Sequence, residues 1–570
     1  MPLNILRGIK PVVVILVSLL FLALYSSGDN DKKKISKPAG ININDAYRLE
    51  INRVKLPLNN RGVIANVSVD GTPEGGFFDG IGFLWSSGFM LSGKNRDTIW
   101  SNAVASASRL EDYLPGEVGG TDDPRALLYV VNSGDEPFGV SWQEWKDAVD
   151  LGAYFYDGDD NGIYNPIDKN GDGKWNPDED MPDILGDETI WCVYNDALPL
   201  EDRGFFNVSP MGIEIRQTVW AYADSNYLGN IIFVRYSINN AGTVAEVFDS
   251  VYFGAWADSD LGTYYDDLAG CDTTIDAGFI YNNGPDGDYG VNPPSFIISL
   301  LQGAKVETGN PDDMAFNVRG PNLGVDTIFG AVNLPMTSFI HLMHSHPTQS
   351  DPDNITQAIN YLTGRNQQGE FVDPCTWLYG KVEGEDCALI DKHFMYSGDP
   401  VVDKGWINTA TFDQRQMSNV GPFTLEKDKH VNIIVAYVVG RGTDHLNSIT
   451  KAKEIAEFTH LFYRNNFNEN VVSVEDINIS SIPNDYNLFQ NFPNPFNPAT
   501  TIEFSVPKPD KVKLIVFDLL GREVEILVNE EKPQGNYKVI FDASSFPSGV
   551  YFYQLITEHY SDTKKMIYLK

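Results

Sequence analysis

Asn230-Ile-Ile-Phe-Val-Arg-Tyr-Ser-Ile-Asn-Asn240 decides the fold class. β-Branched and aromatic residues crowd it, no helical spacing runs through it, and it ends in Asn-Asn-Ala-Gly, a turn sequence. Val247-Phe-Asp-Ser-Val-Tyr-Phe-Gly-Ala-Trp256 follows at once, and Ile213-Glu-Ile-Arg-Gln-Thr-Val-Trp-Ala-Tyr222 precedes it. Strand, turn and strand in this rhythm predict an antiparallel sandwich. Strands dominate from residue 211 onward. Residues 45–150 are mixed, with short runs such as Gly62-Val-Ile-Ala-Asn-Val-Ser-Val69 between breaks at Gly75-Gly76 and Gly119-Gly120. One helix stands out: Ile449, Ala452, Ile455, Ala456, Thr459 and Phe462 recur at three- and four-residue steps after Asp444, a capping residue. It follows the strand His430-Val-Asn-Ile-Ile-Val-Ala-Tyr-Val-Val439 and is expected to cover a sheet. The fold class is therefore mostly β: a large antiparallel sandwich-type region with a few helices and Asp-rich loops.

The chain has 570 residues, 42 Lys+Arg against 78 Asp+Glu, and a net charge of −36. Such a surface repels phosphate backbones, so nucleic acid is excluded as a partner. A hydrophobic fraction of 42% excludes wholesale disorder. Arg7 and Lys10 precede an apolar run from Pro11 to Tyr25, and Ser26, Ser27 and Gly28 give way to a charged segment. This pattern predicts a signal peptide at 1–28 and a linker at 29–44, with the large region at 45–484 and a separate small domain at 485–570. No later stretch is apolar for 18 residues, so the mature chain is expected to carry no transmembrane anchor. An even cysteine count in an exported chain permits disulfides. Cys375 and Cys387, 12 positions apart, favour one bridge, which leaves Cys192–Cys271 as the other; four buried thiols remain the alternative.

Chemistry concentrates in residues 157–179. Asp157-Gly-Asp-Asp-Asn-Gly-Ile-Tyr-Asn-Pro-Ile-Asp168 places oxygen ligands at positions 1, 3, 5, 9 and 12, with Gly162 sixth. Asp168-Lys-Asn-Gly-Asp-Gly-Lys-Trp-Asn-Pro-Asp-Glu179 repeats it, with Gly173 sixth and Glu179 twelfth. The second loop satisfies the D-x-[DN]-x-[DN]-G-x₅-E calcium pattern in full. The expected calcium ligands are Asp157, Asp159, Asn161, Ile163 through its carbonyl, Asn165 and Asp168, then Asn170, Asp172, Lys174 through its carbonyl, Asn176 and Glu179. Asp168 is shared. Neither loop is flanked by helices, so tandem Asp-rich repeats fit better than an EF-hand. Between 157 and 188, 11 acidic residues face two lysines, a charge of −9 that disfavours a compact loop without a cation.

Other signals are weaker. In the acidic stretch 258–288, Asp258, Asp260, Asp266, Asp267 and Asp272 could hold a second ion, with Asp286-Gly-Asp288 nearby, yet they match no defined loop. His341, His344 and His346 suggest zinc only if they share a face, and in a strand His341 points opposite to the other two. Ser448-Ile-Thr-Lys451 matches S-x-x-K without its companion motifs. The ten tryptophans, Trp142 and Trp145 among them, could build a carbohydrate platform but fit a core better.

Asn491-Phe-Pro-Asn-Pro-Phe-Asn-Pro-Ala-Thr-Thr-Ile-Glu-Phe-Ser-Val-Pro507 is similar to the opening of the C-terminal sorting domain of type IX secretion substrates. The resemblance continues through Val516-Phe-Asp-Leu-Leu-Gly-Arg-Glu-Val524, Phe546-Pro-Ser-Gly-Val-Tyr-Phe-Tyr-Gln-Leu555 and Lys564-Lys565. Strand spacing over 485–570 independently predicts an immunoglobulin-like sandwich. The resemblance implies the type IX machinery as partner, passage through the periplasm, and a destination on the surface or outside the cell. It also implies that the tail is commonly removed or exchanged for an anchor. Stretches such as Gly186–Asp196, Trp256–Gly262 and Phe394–Pro400 resemble a recurrent family of secreted bacterial proteins without an assigned activity. The expectation is a calcium-stabilised, non-catalytic surface or secreted protein with an unknown extracellular ligand. The alternative is an extracellular hydrolase, acting on glycans or peptides, whose site assembles only in space.

Overall fold

The computed structural model describes residues 45–106, 110–120, 123–205, 208–224, 226–468, 486–492, 494–532 and 535–569. The expected signal peptide and the linker at 29–44 lie outside them, as does the expected boundary at 484–485. Val431–Gly440 runs through the middle of a nine-stranded antiparallel sheet, between Ile231–Asn240 and Ser295–Gln302. Ile433, Val435, Tyr437 and Val439 enter one core, while Ile434, Ala436 and Val438 enter a second on the other side. A strand covered on both faces needs apolar residues at both parities, which is why this run shows no alternation. Outward from it, Ile231–Asn240 leads to Ile213–Ala221, Glu188–Asn195 and the sheet edge; Ser295–Gln302 leads to Ala277–Asn282 and Asp267–Asp272.

A six-stranded sheet faces it, ordered Ser338–Met343, Gln414–Glu426, Val247–Asp258, Ser86–Asn95, Thr98–Ser106 and Leu110–Glu111. Aromatic rings fill the seam: Phe89 meets Tyr236 at 5.3 Å between centroids, and Tyr236 meets Phe253 at 5.2 Å. Ser87 Oγ and Tyr437 OH lie 2.9 Å apart across it. The Asn-Asn-Ala-Gly turn does not close a hairpin within one sheet. It carries the chain from Ile231–Asn240 in one sheet to Val247–Asp258 in the other.

The helix His445–Arg464 covers the outer face of the nine-stranded sheet. Asp444 caps it, its carboxylate accepting the N–H groups of Leu446 at 3.0 Å and Asn447 at 2.9 Å. Two further helices have no clear sequence signature. Val140–Asp150 begins at Gly139 without a side-chain cap and buries Trp145 and Ala148 against Tyr129, Trp191 and Val193. Ile355–Leu362 is only two turns long and lies over the six-stranded sheet, where Asn419 Nδ2 donates to the Tyr361 carbonyl at 3.0 Å. Trp142 and Trp145 are core residues, not a platform.

The tail pairs a three-stranded sheet (Asn487–Leu488, Ala499–Val506, Gly535–Asp542) with a four-stranded one (Glu523–Lys532, Asp510–Asp518, Gly549–Ile556, Ser561–Tyr568). Phe504, Leu514, Val516, Phe541, Tyr553 and Leu555 form its core, an immunoglobulin-like sandwich. Glu523–Lys532 escapes sequence reading because it is an edge strand with one fully buried residue, Val528.

Cys375 and Cys387 form the expected disulfide. The expected Cys192–Cys271 bridge is absent: both are buried free thiols. Their strands, Glu188–Asn195 and Asp267–Asp272, are separated by five others in the same sheet. At about 4.8 Å per strand, that separation far exceeds the roughly 7 Å limit for a bridge. Alkylation without reductant is expected to label Cys192 and Cys271 only after denaturation; labelling of none or all four cysteines would contradict this pairing.

His460 is largely buried between helix and sheet, with Nε2 2.9 Å from the Ile275 carbonyl and 2.8 Å from Ser299 Oγ. Burial, reinforced by Arg464, pushes it down to about 4. A histidine lowered on folding contributes stability above its ordinary pKa of about 6.5 and loses it as pH falls toward the folded value. His460→Gln should therefore be less stable than the parent at pH 7, with the gap narrowing by about 2–3 kcal/mol near pH 4. Parallel urea-stability profiles would refute this.

Candidate functional site

The insert 157–180 folds into two turns of nearly identical construction. Asp157 accepts the N–H groups of Asn161 at 3.1 Å and Gly162 at 2.7 Å. Eleven residues later, Asp168 accepts those of Gly171 at 2.6 Å and Gly173 at 2.8 Å. Gly162 and Gly173 have φ of +74° and +72°, the left-handed backbone that the sixth position of such a loop requires. In the second loop, Lys174 N–H donates to Asp172 Oδ1 at 2.8 Å, holding that carboxyl below its usual range.

Two adjacent carboxylates close the pair. Glu179 accepts from Lys169 N–H at 2.6 Å and Asn176 N–H at 2.8 Å, which are positions 2 and 9 of the second loop. Asp180 accepts from Gly158 N–H at 3.1 Å and Asn165 N–H at 2.7 Å, the same positions of the first. Both acids are buried, at 1% and 3% exposure. Asp157, Asp159 and Asp180 each bring a carboxylate oxygen within 4.8 Å of the others. Asp168, expected to close the first loop, instead directs both oxygens to N–H groups of the second. Asp180 takes that closing place, and only its adjacency to Glu179 marks it in the sequence. Lys169 Nζ lies 3.1 Å from Asp159 and bonds the Asp178 carbonyl, so one ammonium offsets part of the charge.

The insert is anchored from below. Gln143, on Val140–Asp150, donates to the Pro166 carbonyl at 2.9 Å, and Tyr164 OH donates to that of Trp142 at 3.0 Å. Phe155–Tyr156 pairs with Met181–Pro182 to tie its ends, and Trp175 Nε1 donates to the Glu179 carbonyl at 2.9 Å.

The other candidates disperse. His341 is buried inside the sandwich and bonds Gln414, His344 is exposed, and His346 meets Trp377 and Tyr379 edge-on. Ser448 Oγ donates to the Pro293 carbonyl at 2.6 Å, and Lys451 pairs with Glu454 at 2.7 Å. Asp272 is committed to Lys453 at 2.7 Å, and Asp286 accepts N–H groups of Thr263, Asp288 and Tyr289. Among the described residues, the groups with metal-ligand spacing consist of carboxylates alone.

In the tail, the Asn-Pro-rich segment is a strap tied into the sandwich. Asn491 is buried, its N–H 2.7 Å from Tyr553 OH and its Nδ2 2.9 Å from Thr500 Oγ1. Asn494 Oδ1 accepts Ile567 N–H at 2.8 Å, and Phe496 stacks on Tyr568 at 5.2 Å. Phe492 instead contacts Phe316 at 5.2 Å and Tyr463 at 5.9 Å in the large region, and Arg464 lies 3.5 Å from Glu503.

Residues 490–569 match the family described as Secretion system C-terminal sorting domain. The chain thus carries the tail of a type IX secretion substrate, which directs export to the cell surface or secretion. Among the described residues, no helix is long and apolar enough to cross a membrane. No curated protein matches the chain. Among solved structures, a polysaccharide lyase aligns over 62% of this chain at 6% identity with a TM-score of 0.19. The chain covers 34% of that structure's length, and so slight a likeness carries no argument.

Gly158 shows how tightly the loops are pressed together: a Cβ there would lie 2.4 Å from the Glu179 carbonyl oxygen and 2.5 Å from its nitrogen. Gly158→Ala is expected to cost about 1–3 kcal/mol, read as a lower melting temperature. An unchanged melting temperature would contradict this packing.

Proposed function

We propose that the tail delivers a calcium-stabilised, non-catalytic module to the cell exterior, where its large β region binds an extracellular ligand or serves as a structural element. The observation that carries the calcium reading is the matched pair of loops closed by Glu179 and Asp180. Hard Ca²⁺ takes six to eight oxygens at about 2.4 Å, and Asp or Asn oxygens at positions 1, 3 and 5, a seventh-position carbonyl and a closing acid are the donors it selects. The first ion would be held by Asp157, Asp159, Asn161, the Ile163 carbonyl and Asp180. The second would be held by Asp168, Asn170, Asp172, the Lys174 carbonyl and Glu179. Asn165 and Asn176 sit at the ninth positions. The absence of flanking helices favours a staple over a sensor. The non-catalytic reading is supported by Ser448 and His341 being bound into the scaffold.

Extracellular sites of this kind bind at roughly 10⁻⁴–10⁻³ M. At one to ten times Kd, linkage adds about 0.4–1.4 kcal/mol of stability per site. Millimolar Ca²⁺ should therefore raise the melting temperature, and Asp172→Ala with Glu179→Ala and Asp180→Ala should remove most of that rise. An equal rise in both proteins would refute the loop assignment. Export is tested separately. Deleting 485–570 should leave the large region folded but confined to the periplasm; a truncated chain reaching the surface as efficiently as the intact one would refute the tail's role.

A further inference from the structure

A second carboxylate cluster lies outside the insert, where the six-stranded sheet meets the loops at the end of Val247–Asp258. Asp258 closes that strand opposite Arg415, while Asp413 immediately precedes Gln414–Glu426. Past the strand's end, Trp85 N–H donates to the Asp258 carbonyl at 2.8 Å and Asp260 N–H to the Phe83 carbonyl at 3.1 Å. These ladder-like bonds hold the turn so that Asp258, Asp260 and Asp413 bring carboxylate oxygens within 4.8 Å of one another.

Arg415 is the cation at this place. Its guanidinium lies 3.2 Å from Asp258, 3.3 Å from Asp413 and 3.5 Å from Asp351. Four carboxylates around one guanidinium leave three negative charges in excess. Among the described residues, Asp260 has no ion-pair partner. A separate observation points to a missing ligand: Asp258 is 7% exposed, yet its Oδ1 accepts no hydrogen bond. A buried carboxylate oxygen without a donor is costly unless something positive meets it.

We infer that Asp258, Asp260 and Asp413 form a divalent-cation site distinct from the tandem loops, with Arg415 positioning two of the three ligands. Oxygens no more than 4.8 Å apart can be spanned by one ion at about 2.4 Å, and the all-oxygen donor set selects calcium over zinc or copper. The site joins the 258–260 turn to residue 413, far apart in sequence, and so pins the end of the six-stranded sheet.

The test is calcium stoichiometry and affinity by equilibrium dialysis of the full chain. The proteins are the parent, the loop variant Asp172→Ala/Glu179→Ala/Asp180→Ala, and Asp260→Asn and Asp413→Asn separately. The loop variant is expected to retain one bound ion. In the parent, Asp260→Asn and Asp413→Asn are each expected to weaken one ion at least tenfold while the loop ions stay. Asp413 is partly exposed at the rim, so its variant is informative even if Asp260→Asn fails to fold. Unchanged stoichiometry and affinity in Asp413→Asn, or a folded loop variant that binds no calcium, would overturn the site. A parent that binds one ion, retained by the loop variant and weakened by Asp413→Asn, would overturn the loop reading and keep this one.

Discussion

Everything in the large region is built against a strand that must be apolar on both sides. Val431–Gly440 is hydrogen-bonded to Ile231–Asn240 and Ser295–Gln302, strands more than a hundred residues away in sequence. Its odd-numbered side chains fill the sandwich and its even-numbered ones lie under the helix His445–Arg464. Each such buried Ile, Val or Tyr contributes roughly 1.5–3 kcal/mol relative to exposure. A polar substitution on either parity would strand an unpaired group between two layers. The covering helix follows directly in the chain, so the strand and its lid are neighbours in sequence while the flanking strands are distant.

With the scaffold fixed, the edges and inserts handle a different problem, the excess of negative charge. Buried pairs such as Arg235–Asp183 at 2.9 Å answer it within the core. The insert answers it with backbone N–H groups: Asp157, Asp168, Glu179 and Asp180 each accept two or more. Such bonds orient carboxylates without neutralising them. The result is a set of oxygens fixed in position, the condition under which a hard cation binds with little reorganisation. In the proposed account, calcium completes the electrostatics that the backbone begins.

What could be read from sequence divides along the range of the interactions. The doubly apolar run at 431–439 and the Asp444-capped helix depend on neighbours within a few residues, and both were legible. So was the 11-residue step of the Asp-rich loops, because Asp157 and Asp168 bind N–H groups three to five positions away. The tail was legible through its ordered motif, whose Asn491, Asn494 and Phe496 are each tied into the sandwich. The pairing of Cys192 was not, since strand order rather than sequence distance separates it from Cys271. The closure by Asp180 depends on Gly158 packing against the 178–179 backbone, and Asp413 reaches Asp260 only through the sheet. The short helix Ile355–Leu362 and the polar edge strand Glu523–Lys532 offer too few buried positions to produce a period.

The central claim is that the two loops are ion sites and not solvated acidic turns. A crystal structure of the exported protein grown with millimolar calcium tests it most directly. The account requires a density peak among Asp157, Asp159, the Ile163 carbonyl and Asp180, and another among Asp168, Asn170, Asp172, the Lys174 carbonyl and Glu179, each with oxygens at about 2.4 Å. Waters at hydrogen-bonding distances in both places, with Lys169 still bound to Asp159, would contradict it.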